Sequence, residues 1–136
     1  VHPHIMVSTK EARDVLRKEI PMRDAVTQWG NVGGLVAGLL TSDMELIGRS
    51  MKDVIAEPYR KGFIPGYDSL KNECFKNGAL AVNISGSGPS VFALSDSMEK
   101  AQAVGRAMAA HFGSLGVEAD LYVSHVPRRG ARLVEE

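Results

Sequence analysis

Apolar and polar residues alternate at the start of the chain. Val1, Ile5 and Val7 fall on one side of an extended segment, and His2, His4 and Met6 on the other, which is the period of a strand. The alternation is already under way at Val1, so the strand is expected to begin before it and the chain to be the downstream piece of something longer. Ser8-Thr9-Lys10-Glu11 reads as a capping box and opens a helix over 9–18. Pro21 then sets a helical first turn, and Ala25, Trp29, Val32, Val36 and Leu39 recur at steps of four, three, four and three. That spacing predicts one long helix over 21–41 with a buried apolar face. Its four glycines, Gly30, Gly33, Gly34 and Gly38, each cost about 1 kcal/mol relative to alanine, and close packing against a neighbouring element is the expected reason.

A further helix is expected over 43–55, closed off by Pro58, and another over 68–77, capped by Asp68 and stopped at Asn77-Gly78. Ala79–Ser85 and Ser90–Ser95 read as two strands joined by Gly86-Ser87-Gly88-Pro89, a hairpin with a glycine-rich connection. Met98, Ala101, Val104, Gly105, Met108 and Phe112 mark a helix over 97–112, ended by Gly113 and Gly116. Val117, Ala119, Leu121, Val123 and His125 then alternate with polar neighbours in a last strand. Strand, helices, hairpin, helix, strand is the order of an α+β domain. The expected fold is a ferredoxin-like antiparallel four-stranded sheet with helices on one face and extra helices in the first crossover.

Composition narrows the function classes. A chain of 136 residues, 44% hydrophobic with six prolines, suits one globular domain. Sixteen basic residues balance sixteen acidic ones, nine of each in residues 1–68 and seven of each in 69–136. Such a balance offers no net field for nucleic acid or an anionic membrane. The single cysteine, Cys74, rules out an internal disulfide and suits a reducing, cytoplasmic setting. Next to Phe75 it reads as core packing. No apolar run is long enough to cross a membrane as a helix. The mixed charges of the tail, Arg128, Arg129, Arg132, Glu135 and Glu136, read as a solvated end.

Candidate chemistry centres on Ile84-Ser85-Gly86-Ser87-Gly88-Pro89-Ser90. Two glycines around a serine expose successive backbone N–H groups that can wrap an anion, or they simply make a tight turn; both readings stand on the pattern alone. No Gly-Lys-Ser/Thr follows, a strand follows where a dinucleotide fingerprint needs a helix, and Ser85 and Pro89 occupy the positions where a nucleophile elbow at Ser87 needs glycines. Arg13 in the capped helix and Arg60 in Glu57-Pro58-Tyr59-Arg60 offer planar forks for a carboxylate or phosphate, and a surface salt bridge is the alternative for each. Thr9 beside Arg13 serves equally as a cap. His2 and His4 share a face, but no third ligand accompanies them, so no metal site is expected. His111, His125 and the serines form no recognisable catalytic triad, and no catalytic residue is expected in this chain.

Val1-His-Pro-His-Ile-Met-Val-Ser-Thr-Lys-Glu-Ala-Arg13, Glu57-Pro-Tyr-Arg60, Phe63-Ile-Pro-Gly66, Asn77-Gly-Ala-Leu80 and Ile84-Ser-Gly-Ser-Gly-Pro-Ser-Val-Phe-Ala-Leu94 together resemble the C-terminal half of the homoserine kinase family, within the GHMP kinase superfamily. The resemblance runs from Val1 to about Arg132. It implies transfer of a phosphoryl group from ATP, with Mg²⁺, to the hydroxyl of L-homoserine on the route to threonine. It assigns Thr9, Arg13, Arg60 and Gly86 to substrate binding, and Ser85, Gly86, Ser87 and Gly88 to a glycine-rich loop near the phosphate. The family's nucleotide loop and its acidic residue belong to an N-terminal half that these residues do not match, so the chain alone is expected to be an inactive C-terminal, substrate-side domain. A homodimer is a further expectation from the superfamily. A kinase for another small alcohol, mevalonate-like or a sugar, and a non-catalytic amino-acid-binding module are the alternatives.

Overall fold

The structure is a computed structural model and describes residues 1–127, Gly130 and Leu133; the charged tail residues named above lie outside the described residues. In chain order it places β1 (His2–Pro3), α1 (Thr9–Asp14), α2 (Met22–Thr41), α3 (Met44–Ser50), α4 (Glu57–Arg60), a short 3₁₀ turn (Lys61–Phe63), α5 (Tyr67–Lys76), β2 (Ala81–Ile84), β3 (Val91–Leu94), α6 (Met98–Ser114) and β4 (Ala119–Asp120). Three helices start where the sequence provides a hydroxyl or carboxylate cap. Ser8 accepts from the N–H of Glu11 at 3.3 Å, Asp43 from Leu46 at 2.9 Å and Ser97 from Lys100 at 3.3 Å.

The expected four-stranded sheet is present as two short antiparallel ladders, β1 with β4 and β2 with β3. One residue pair joins them: Val1 and Val91 exchange both backbone hydrogen bonds, at 2.8 and 3.0 Å. The strands therefore run in the order β4, β1, β3, β2. The last strand pairs over two residues, where a run to His125 was expected. Its register sets Asp120 opposite His2 and Ala119 opposite Pro3. Leu121 and Val123 keep the expected face, standing over Gly105 of α6 so closely that a Cβ there would lie 2.9 and 3.1 Å from them.

Helices α5 and α6 cover one face of this sheet. Leu70, Cys74, Val104, Met108 and Phe112 from the helices interlock with Val82 and Val91 from the hairpin, together with Ile64 and Tyr67. Burial raises the Cys74 thiol to about 11, so it packs as a small apolar side chain. Three expectations need correction. The segment after α3 is no helix: the Asp53 carboxylate accepts from the N–H groups of Ile55, Ala56 and Glu57, and it starts α4 with Pro58 inside the first turn, where proline lacks only an N–H that would be unbonded anyway. Asp68 does not cap α5. Gly66, at φ +66°, stands at that position, and Asp68 pairs with Lys61 at 2.8 Å.

The third correction concerns α2. Ala25 of the expected apolar face is buried, but the contact with α3 is made by small residues: Gly34 and Gly38 lie against it, a Cβ on Gly38 falling 2.9 Å from Ile47. Trp29, Val32, Val36 and Leu39 are 66, 57, 53 and 61% exposed. Close packing thus explains Gly34 and Gly38, while Gly30 and Gly33 have nothing within 4 Å of a Cβ.

Truncating Phe112 to alanine is expected to cost about 3–5 kcal/mol in urea unfolding, as for a fully enclosed ring. Cys74 should resist a thiol reagent at pH 8 until the chain is unfolded. Because its folded-state pKa lies above the unfolded one, the stability that the neutral thiol contributes should fall as pH rises from about 9 toward 11.

Candidate functional site

The glycine loop closes the β2–β3 hairpin. Ser85 N–H donates to the carbonyl of Ser90 at 2.8 Å, and Gly88 N–H to the carbonyl of Ser85 at 3.0 Å, which closes a four-residue turn. Gly86 is its second residue at φ +60° and the only positive φ of the two central positions, the requirement of a type II′ turn. The turn reading of the sequence is thus correct, and it leaves room for the other. Among the described residues, the N–H groups of Gly86 and Ser87 have no acceptor, and a Cβ on Gly86 would meet nothing within 4 Å. Two adjacent unbonded donors at an open tip are what an anion would need.

Arg60 ties this tip to the start of the chain. At the end of α4 its Nε donates to the carbonyl of Ala12 at 2.9 Å, and its Nη1 to the carbonyl of Gly86 at 3.0 Å. Three segments far apart in sequence therefore meet at one guanidinium: α1, α4 and the hairpin tip. A guanidinium carries five N–H donors, so three remain after these two bonds. The sequence expectation for Arg60 was a ligand or a salt bridge; its two partners here are instead backbone carbonyls, with donors to spare.

Arg13 follows Ala12, one residue from the carbonyl that Arg60 grips. It is exposed and has no hydrogen bond or ion pair among the described residues. Thr9 is exposed in the first turn of α1, where Ser8 and not Thr9 supplies the cap. Arg17 stacks over the ring of Tyr59 with 5.4 Å to its centroid, a cation–π contact that holds the chain beyond α1 against α4. Arg60, Gly86 and the backbone beside Arg13 are thus together; among the described residues no hydrogen bond joins the side chains of Thr9, Arg13, Ser85 or Ser87 to Arg60.

Several supporting groups were not singled out in the sequence. Asp53 leads into α4 by accepting from the N–H groups of Ile55, Ala56 and Glu57, a local side-chain-to-backbone turn, while Ala56 occupies the N-cap position. Glu57 pairs with Lys71 through both carboxylate oxygens at 2.6 and 2.8 Å, with side chains only 14 and 20% exposed. Tyr67 lies beside that pair, its buried hydroxyl without a partner among the described residues. Burial first, and then the nearby Glu57 carboxylate, hold its phenol above the usual range. A cavity of about 500 Å³ opens next to Glu57 and Lys71, between α3, α5 and β2, with Arg49 and Lys52 at its wall. Neither Arg60 nor the glycine loop lines it.

His2 and His4 are used elsewhere. His2 bonds Ser90 Oγ at 2.8 Å, and His4 bonds the Asp120 carboxylate at 3.0 Å. The Asp120 bond raises the pKa of His4. Among the described residues no group of three or more His, Cys, Asp or Glu stands close enough to hold a metal, and no helix is long and apolar enough to cross a membrane.

The family model for the C-terminal region of GHMP kinases matches residues 35–114, more than half of the chain. This chain belongs to the GHMP kinase family. Among curated proteins it is 50% identical over 135 residues to a homoserine kinase of Chloroherpeton thalassium and 40% identical over 126 residues to one of Pyrococcus furiosus. These matches cover 98 and 93% of this chain, and 42% of each relative. A crystal structure of homoserine kinase from Cytophaga hutchinsonii superimposes with a TM-score of 0.90 at 56% identity, over 92% of this chain and 40% of that one. The chain thus spans under half the length of the relatives it matches. In this GHMP kinase C-terminal domain, the ferredoxin-like arrangement with its helix-filled first crossover is as expected.

Replacing Arg60 by alanine is expected to destabilise the domain by about 2 kcal/mol, since two charge-assisted bonds to carbonyls are lost from a partly exposed site. Hydrogen exchange should speed up at α1 and at residues 85–90 together, while exchange in α6 stays protected until global unfolding. Arg60→Lys cannot span both carbonyls and should behave like Arg60→Ala.

Proposed function

We propose that this chain is the substrate-side domain of a homoserine kinase, and that the nucleotide-binding part lies in the length of the relatives that it does not span. The reading is supported by one observation above the others. Arg60 bridges the helix that carries Arg13 to the glycine tip at Gly86, so three motifs of the homoserine kinase resemblance stand around one guanidinium.

In this reading ATP, with Mg²⁺, supplies the phosphoryl group that the hydroxyl of L-homoserine accepts to give O-phospho-L-homoserine for threonine biosynthesis. The residues of this chain bind and orient. Homoserine carries an α-carboxylate, and the unbonded donors of Arg60 together with the unpaired guanidinium of Arg13 hold it by charge-assisted hydrogen bonds. The Thr9 hydroxyl lies one helical turn before Arg13 and contributes a further donor. With the carboxylate end fixed, the reactive hydroxyl is confined to a small arc, and such confinement is a large part of what phosphoryl transfer requires of a protein. The open N–H groups of Gly86 and Ser87 fit an anionic oxygen, either of the substrate or of the phosphate that passes to it. The ligands of Mg²⁺ and the loop that holds ATP are assigned to the rest of the polypeptide, and the chain alone should not turn over. A cytoplasmic location belongs to the same proposal, in keeping with the single buried thiol of this chain.

In the full-length enzyme, Arg13→Ala should raise the KM for homoserine about 10- to 100-fold, the loss of one charge-assisted contact, with the KM for ATP unchanged. An equal rise for both substrates, or none for homoserine, would remove Arg13 from the substrate site. Assays with mevalonate and galactose in parallel separate this reading from a kinase for another alcohol.

A further inference from the structure

Helix α4 carries two opposite charges on one side of itself. Glu57 and Arg60 stand three residues apart, close enough in a helix for a carboxylate and a guanidinium to pair. They do not pair here. The Glu57 side chain has one hydrogen-bonding partner among the described residues, the Lys71 ammonium, which takes both carboxylate oxygens at 2.6 and 2.8 Å. Arg60 donates instead to the carbonyls of Ala12 and Gly86. The arginine that ties the hairpin tip to α1 therefore works beside an acid of its own helix that is held aside.

Lys71 is well placed to hold it. It lies on α5 next to Leu70 and three residues before Cys74, both 0% exposed, so its backbone is fixed by the core. Its ammonium stands 5.7 Å from the centroid of the Tyr67 ring, a cation–π contact one turn back along α5. The pair is little exposed, 20% for Lys71 and 14% for Glu57, so water competes for it far less than for a surface pair. Helix α4, by contrast, buries none of its four residues. The bond to Lys71 is its one side-chain hydrogen bond to α5 or α6 among the described residues. We propose that Lys71 is a positioning residue that holds the Glu57 carboxylate away from Arg60. The guanidinium is thereby left free for the Ala12 and Gly86 carbonyls and, resting on the homoserine kinase function proposed for this domain, for the α-carboxylate of the amino acid.

Without that ammonium, a carboxylate with little access to water is left to find other donors. The Tyr67 hydroxyl, buried and without a partner among the described residues, can donate one bond, but a carboxylate has about four acceptor sites. Arg49 and Lys52 line the same cavity as Glu57, but both are exposed and hydrated, whereas Arg60 shares the short helix with it. A carboxylate pairs with a guanidinium through two parallel bonds. Such a pair draws Arg60 from two neutral carbonyls and cancels the charge that a second carboxylate would need.

The test uses the full-length natural polypeptide that carries this chain, with hydrogen exchange reading Arg60 and kinetics reading the substrate. Lys71→Met should speed exchange at α1 and at residues 85–90 about tenfold relative to α6, and raise the KM for homoserine about tenfold, the loss of one charge-assisted contact, with the KM for ATP unchanged. Adding Glu57→Gln removes the competing carboxylate without restoring the ion pair. The double variant should return both readouts to within about threefold of the natural protein, and it spares the fold the unpaired charge that Lys71→Met leaves behind. Defects that persist in the double variant overturn the proposal, because the pair is then only a brace. Unchanged exchange in Lys71→Met overturns it too. If Lys71→Met does not fold, the double variant decides: exchange and homoserine KM near those of the natural protein uphold the proposal, and a tenfold rise in either overturns it. Exchange that responds as described with no change in the homoserine KM upholds the hold of Lys71 on Glu57 and removes the substrate role of Arg60.

Discussion

One guanidinium holds together segments that have little else in common. Arg60 reaches the carbonyl of Ala12, 48 residues earlier, and that of Gly86, 26 residues later. Helix α1 is six residues long, too short to persist by itself in water, and the hairpin tip is exposed. Their mutual position therefore depends on a cross-link that neither could supply alone. Arginine suits the task because its planar fork can donate to two carbonyls along different directions and still leave donors free. In the proposed function, the same side chain serves as a rigid brace and as a binding group.

The brace works because each of its three anchors is fixed locally. Ser8 caps α1 so that Ala12 presents its carbonyl in a defined direction. Asp53 gathers three successive N–H groups and starts α4, which ends at Arg60. Gly86 adopts the positive φ that turns its carbonyl back toward the domain. Beneath them, α5 and α6 hold the hairpin through Leu70, Val82, Val91 and Phe112. Core packing thus fixes the strands, capping fixes the helices, and Arg60 connects the ends of both.

Much of this was legible from the residues. The capping box at Ser8 located the start of α1, apolar spacing located α6, and alternation with the glycine connection located the hairpin. What remained hidden has particular causes. The period of α2 identified a helix correctly, but an apolar stripe does not say whether its cover belongs to the same chain, and here the glycines at 34 and 38 took the inner face. Proline at 58 was read as a stop, although proline in a first turn is a start, and the turn that Asp53 makes with residues 55–57 sets it there. Asp68 lost the capping position to Gly66, because a left-handed residue was needed there. The last strand kept its alternation and lost its ladder, since register and not pattern sets where pairing ends. That Arg60 would spend two donors on backbone carbonyls could not be read from the sequence, since those partners lie dozens of residues away and carry no side-chain signal.

The most direct test is a crystal structure of the full-length polypeptide with L-homoserine bound. The α-carboxylate should lie within hydrogen-bond distance of the guanidinium groups of both Arg13 and Arg60, with the bonds from Arg60 to Ala12 and Gly86 intact. An amino acid held elsewhere, with Arg13 turned to solvent and Arg60 bonded to those carbonyls alone, would leave Arg60 a brace and nothing more, and would contradict the account.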